Sequence, residues 1–163
     1  MKTYILFCAF LFLATSCYAQ MPAGKNFGFG AELGEPSGIT VKYWTDKTHA
    51  LGGTIGSSYY GSPRIDVDYY WHYNAFNSSV VNLFVSVGGV LGFGDYRDGW
   101  WYKKDKYESR KGKMALGARG AIGINILPRT VPLEIFVELG VVESLLPFIA
   151  TSPEAAFGVR FYP

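Results

Sequence analysis

The chain has 163 residues and two cysteines, Cys8 and Cys17, both near its start. Beyond them no thiol remains to form a disulfide or ligate a metal. Histidine is as scarce, with only His49 and His72. Two histidines far apart in sequence do not make a metal set. Lysine and arginine total 15 against 13 aspartates and glutamates. That balance gives no electrostatic reason to expect a nucleic-acid partner. After the first 19 residues no run of about 18 apolar residues occurs, so the sequence predicts no transmembrane helix. These absences argue against a disulfide-stapled domain, a cysteine or histidine metal centre, a nucleic-acid binder and a helical membrane protein.

What is abundant is glycine, at 20 residues, and aromatic side chains, at 17%. Both fit twisted, curved strands better than helices. The start of the chain is different in kind. Lys2 precedes the apolar run from Tyr4 to Ala14, and Cys17-Tyr18-Ala19 supplies small residues where a signal peptidase reads. Residues 1–19 therefore read as a signal peptide for Sec-type export, cut before Gln20, and residues 20–163 as one domain. The alternative, lipidation of Cys17, ranks second because Ala14 rather than leucine stands three residues before it.

The stretch from Pro63 to Asn74 shows how the domain is organised. Ile65, Val67, Tyr69, Trp71 and Tyr73 alternate with Arg64, Asp66, Asp68, Tyr70 and His72. Successive strand side chains point to opposite faces, so this is a strand with one apolar and one charged face. The same period predicts strands over 26–34, 39–44, 50–60, 80–94, 114–126, 133–142 and 155–162. Turns are predicted at 34–38, 45–49, 60–63, 74–79 and 127–132, and longer loops at 95–113 and 143–153. Eight strands joined as hairpins, about 9–11 residues long on average, match the span a tilted strand needs to cross a bilayer.

The unresolved question is which face is inside. Lys42, Arg64, Arg119 and Arg160 share one face with Glu32, Asp66, Asp68, Glu134 and Glu138. A soluble sheet with a wet charged face would read similarly. Three features favour the reverse. The apolar face is free of edge-breaking charges throughout. Tyr69, Trp71 and Tyr73 gather at one strand end, with Tyr59 and Phe93 at the other, as in the aromatic girdles of membrane barrels. Short connections fall on the side of both termini and both long loops on the other, as periplasmic turns and external loops do. The expected fold is all-β, an eight-stranded antiparallel up-and-down transmembrane β-barrel. Its nine charged groups should fill the lumen as a paired network with no open pore.

With these features in place, the chain resembles the OmpA/OmpX-type eight-stranded outer-membrane barrels. Its first hairpin, Gly34-Glu35-Pro36-Ser37-Gly38-Ile39-Thr40-Val41-Lys42-Tyr43-Trp44, is similar to the G-E-P-x-G-I-x-x-K-x-W hairpin of small exported barrel proteins of unknown function. The resemblance implies a bacterial outer-membrane location and delivery by the barrel-assembly machinery. Phe157, Val159 and Phe161 keep the alternation of the last strand for that machinery to read.

Chemistry is harder to find. Some small barrels modify lipid A with a serine and histidine placed at the outer leaflet. Here loop parity puts His49 and His72 at the periplasmic side, and His72 reads as a lumen-filling residue beside Asp68. Ser144, at the expected outer rim, has no histidine near it in sequence. No catalytic, cofactor or metal site is expected. The interaction candidate is the 95–113 loop, with seven basic and four acidic residues. Its candidate contacts are Arg97, Trp100, Trp101, Tyr102, Lys103, Lys104, Lys106, Tyr107, Arg110 and Lys111. Such residues are enriched at binding surfaces. The plainer reading is that they anchor to lipopolysaccharide head groups; the other is an adhesive loop for an unknown surface ligand. The leading function is a structural or surface-interaction barrel. A lipid A-modifying enzyme and a soluble periplasmic barrel carrying an apolar ligand are the alternatives.

Overall fold

A computed structural model describes residues 25–93, 114–146 and 149–163. The leader and the 95–113 loop with its ten candidate contacts lie outside the described residues. The strands are β1 (Phe27–Gly34), β2 (Ser37–Trp44), β3 (His49–Ser58), β4 (Gly61–Tyr73), β5 (Val81–Gly92), β6 (Ala115–Ile126), β7 (Leu133–Leu146) and β8 (Ala150–Phe161). Each pairs antiparallel with the next, and β8 pairs with β1, so the sheet closes into a barrel in sequence order. The expected all-β, eight-stranded fold is what forms.

The register fixes the barrel's shape. Phe29 faces Val41, and the same line continues through Gly53, Val67, Gly89, Ala118 and Glu143 to Thr151. Phe29, however, faces Phe161 on β8, ten residues beyond Thr151. With about 3.3 Å per residue and about 4.8 Å between strands, that offset tilts the strands by roughly 40° and gives a wall radius of roughly 8 Å. A lumen that narrow is filled by side chains.

Alternation then sorts the residues. Ile39, Ile55, Val67, Val87, Ile122, Leu139 and Phe157 are among the large side chains pointing outward and exposed. Glu32, Lys42, Arg64, Asp66, Asp68, Arg119, Glu134, Glu138 and Arg160 all point inward, each at most 4% exposed. Among the described strand residues, Glu143 is the one aspartate, glutamate, lysine or arginine on the outward face, half-buried where its Oε2 accepts from Thr151 Oγ1.

The near end of the barrel carries both termini of the described chain and the connections 45–48, 74–80 and 127–132. The far end differs from the sequence reading. Residues 143–146 and 150–153 are strand rather than loop, because the alternation runs on through Val142, Ser144 and Ser152 into the lumen. Only the β5–β6 connection, 93–114, is long; the other far-end links are 35–36, 59–60 and 147–149. The strands run from 8 to 14 residues.

The short β1–β2 hairpin leaves part of β8 without a neighbour on its β1 side. The β1–β8 ladder ends at Gly34 and Ala156, with Glu35 N donating to Ala155 O. Tyr59, in the β3–β4 turn, reaches over this hairpin and donates its hydroxyl to Pro153 O. The Tyr59 N–H in turn donates to Glu35 Oε2 at 3.2 Å. Burial pushes the Glu35 carboxyl above its usual range, and that hydrogen bond offsets part of the rise.

Inside, rings lie against glycines of the adjacent strand. Phe84 faces Gly123, Phe136 faces Gly158, and Tyr162 covers Gly28. A Cβ at Gly123 would sit 2.3 Å from Phe84 Cζ and 2.5 Å from Val137 O. Gly123→Ala should therefore overpack the lumen, lowering stability by about 1–3 kcal/mol. Thermal unfolding in detergent checks this, and an unchanged midpoint would rule out the tight ring–glycine fit.

Candidate functional site

The charged lumen residues form two layers. Towards the far end, Arg64 from β4 donates its Nε to Asp66 at 2.8 Å and both terminal nitrogens to Glu154 of β8. Arg119 from β6 donates to Glu154 at 3.1 Å, to Asp68 of β4 at 2.7 Å, and to Glu138 of β7. Two guanidiniums thus hold four carboxylates drawn from three strands. Arginine suits this because its planar fork presents five donors. One oxygen each of Asp68 and Glu138 is buried with no hydrogen-bond donor among the described residues.

Towards the near end the signs reverse. Glu134 of β7 is the hub. It accepts from Lys42 Nζ at 2.7 Å, Asn125 Nδ2 at 2.7 Å and the Tyr162 hydroxyl, and Arg160 lies 3.6 Å away. Two cations share one carboxylate here, and aromatic faces supply the remaining stabilisation. Arg160 stacks 3.9 Å above Phe136, and Lys42 lies 4.8 Å from the Trp44 ring and 4.9 Å from Tyr70. Trp44, Tyr70, Phe84, Phe136, Leu127 and Tyr162 pack into one buried cluster that closes this end. Glu32 lies between the layers, buried on β1. Arg160 also donates to Thr40 Oγ1 at 2.8 Å.

The sequence reading placed nine charges in the lumen, and the structure places those nine there with a tenth. Glu154 is 4% exposed and joins Arg64 to Arg119 across the lumen. It escaped notice because Ser152-Pro153-Glu154 follows the composition of a loop. Its parity with Arg160, six positions on, was the available signal. Asp68 does pair with Arg119, but Asp66 takes Arg64 from its own strand, and Lys42 serves Glu134.

The histidines and Ser144 do not converge. His72 faces the lumen, but its partners are Lys42 and the Thr48 carbonyl rather than Asp68. His49 opens β3 at the near end, against Asp46 of the turn. Ser144 turns into the lumen and donates to Leu146 O at 3.3 Å. Among the described residues no group of three or more histidine, cysteine or acidic side chains is arranged to hold a metal ion.

Asp46 organises the β2–β3 turn. Partial burial alone would raise its carboxyl. The donors Thr48 N, Thr48 Oγ1, His49 N and the His49 ring outweigh it and hold the group at about 2, against a usual 3.8.

No protein-family model and no curated protein sequence matches the chain. Among solved structures it is similar to the N-terminal β-barrel domain of Pseudomonas aeruginosa OprF. The TM-score is 0.57 at 13% identity, over 83% of this chain and 94% of that one. At that identity the likeness is one of fold: a closed eight-stranded barrel of the OmpA type.

Two outcomes follow from the geometry. Arg119→Ala leaves two carboxylates, Asp68 and Glu138, without their cation in a low-dielectric lumen and should cost about 3–5 kcal/mol. Glu154→Gln leaves Arg64 with Asp66 and Arg119 with Asp68 and Glu138, so it should cost less, about 1–3 kcal/mol. Denaturant unfolding in micelles orders them, and a Glu154→Gln penalty equal to or above that of Arg119→Ala would contradict the shared-arginine network. At the turn, a depressed folded value stabilises above the unfolded value and is lost on acidification. The stability difference between wild type and Asp46→Ala should accordingly be constant above the usual 3.8 and shrink as pH falls towards about 2. A difference that does not vary with pH would remove the carboxylate from that account.

Proposed function

We propose that the protein is a small bacterial outer-membrane barrel, exported through the periplasm, with a structural or surface-interaction role and a lumen closed by charge and aromatic packing. The observation that carries this reading is the inversion of the usual arrangement: apolar outside, ionised inside. A soluble barrel bearing an apolar ligand would line its interior with hydrocarbon, whereas this lumen is packed with paired ions and rings. The outward face also has a membrane's dimensions. On β7 it is uncharged from Leu133 to Val141, and Glu143 lies ten residues above Leu133. At a tilt of roughly 40° that is about 25 Å along the axis, the height of the apolar band of outer-membrane barrels. Near the lower border of this band, Phe27, Phe29, Tyr43, Tyr69, Trp71 and Phe161 point outward, with Tyr69 and Trp71 at 4.8 Å between centroids. Tyr59 does not contribute to a matching far-end girdle; it packs inward beside Tyr60.

A lipid A-modifying enzyme finds less support. Both histidines lie at the near end, the periplasmic end in this reading, and Ser144 is buried without one. At the opposite, outer end β5 stops at Gly92 and β6 starts at Ala115, and the sequence between them carries seven basic residues and the Trp100-Trp101 pair. Lipopolysaccharide head groups are its natural partner, and an unknown surface ligand is the alternative.

Fractionation and heat-dependent migration in a detergent gel test the location. The folded barrel should partition with outer membranes and migrate faster unheated than boiled. Recovery in the periplasm without detergent would overturn the membrane reading. In the same assay, deletion of residues 100–110 should leave heat-dependent migration intact and weaken retention on lipopolysaccharide; undiminished retention would exclude the loop as the contact.

A further inference from the structure

The near-end cluster contains one titratable side chain that the packing of the barrel does not account for. His72 Nε2 lies 2.9 Å from Lys42 Nζ. Lysine has donors and no acceptor, so Nε2 must offer a lone pair, and the ring proton must sit on Nδ1. Nδ1 lies 3.3 Å from the Thr48 carbonyl in the β2–β3 turn, which the His72 backbone N–H also reaches at 2.7 Å. The imidazole is clamped by rings, with Trp44 at 4.2 Å, Phe84 at 5.8 Å and Tyr70 at 6.0 Å between centroids.

We propose that His72 is an acid-sensitive latch for the near end of the lumen: proton uptake at Nε2 breaks its contact with Lys42 and loosens the aromatic plug. The proton comes from solvent at that end, and no bond other than the Lys42–His72 hydrogen bond is lost in the first step. Two cations then face each other across 2.9 Å of desolvated space. The surrounding elements offer little relief. β2 contributes Lys42 and β8 contributes Arg160, both cationic, together with Tyr162. β4 contributes Tyr70, β5 Phe84 and Asn82, and β6 Asn125, none of them a counter-ion. Glu134 of β7 is the one carboxylate, and Lys42, Arg160, Asn125 and Tyr162 already engage it. Lys42 must therefore withdraw from the rings it stacks on, or the imidazole must swing out towards the turn. Either movement opens the packing of Trp44 against Tyr70 and Phe84.

The latch depends on the lumen being closed at the near end, not on membrane insertion, so it is testable in micelles whatever the outcome of fractionation. Because the domain has no cysteine after Cys17, a single thiol can report on access. Ala50→Cys places one inside the plug, where Ala50 is 0% exposed, and Phe76→Cys places a reference on a near-end turn, where Phe76 is 51% exposed. The ratio of their rates with a small charged thiol reagent cancels the pH dependence of thiolate formation. As pH falls from about 7.5 to about 4, that ratio should rise by about ten-fold in wild type. In His72→Gln, whose amide can accept from Lys42 and donate to Thr48 without titrating, it should stay constant. A flat ratio in wild type, or an equal rise in His72→Gln, would overturn the proposal.

Discussion

Closure at a fixed radius is the constraint from which the rest of the molecule follows. Once the register returns to β1 ten residues out of step, the wall lies roughly 8 Å from the axis and half of all strand side chains must share that tube. No solvent is available to screen them, so each inward charge needs a partner and each inward ring needs space. Glycine supplies the space: Gly28, Gly123 and Gly158 lie under Tyr162, Phe84 and Phe136. Arginine and lysine supply the partners, reaching across the lumen to strands far away in sequence.

The charges are sorted along the axis rather than mixed. Two arginines meet four carboxylates at the far end, and two cations meet one carboxylate at the near end. Aromatic rings collect where cations are in excess, because a ring face is attractive to a cation and not to a carboxylate. This explains why Trp44, Tyr70, Phe84 and Phe136 sit on the inward face of strands whose inner surface is otherwise polar. Lys42 and Arg160 hold these rings inside.

Parity was legible in the sequence because a period of two survives any change of register. The stretch from Ile65 to Tyr73 announces its two faces, and so do 115–126 and 133–142. The extent of the far-end strands was not legible. Glu143, Ser144, Ser152, Pro153 and Glu154 have turn-like composition, and only the ladder between β7 and β8 shows them to be paired. The same composition conceals Glu154 and with it the link between Arg64 and Arg119. Pairings were also out of reach. Which carboxylate Lys42 meets depends on how eight strands are staggered, and a single sequence contains no register. His72 was readable as a lumen residue, yet its contact with Lys42 joins β4 to β2 through the interior.

The hairpin beneath Tyr59 bears on how the tube comes to exist. β1 and β8 share six residue pairs, against twelve between β5 and β6. The same seam joins Phe29 to Phe161, nearly the full length of the domain apart, so it carries the largest loss of chain freedom of any junction. The junction with the greatest entropic cost is therefore one of those with the fewest hydrogen bonds to offset it. An incomplete barrel would persist as a curved sheet, open along this line, until β1 meets β8. Above Ala156 nothing on β1 covers β8, and there Pro153, which has no N–H to offer, limits what a stray strand could add. One of the shortest junctions of the finished tube is thus also the place where its assembly is decided.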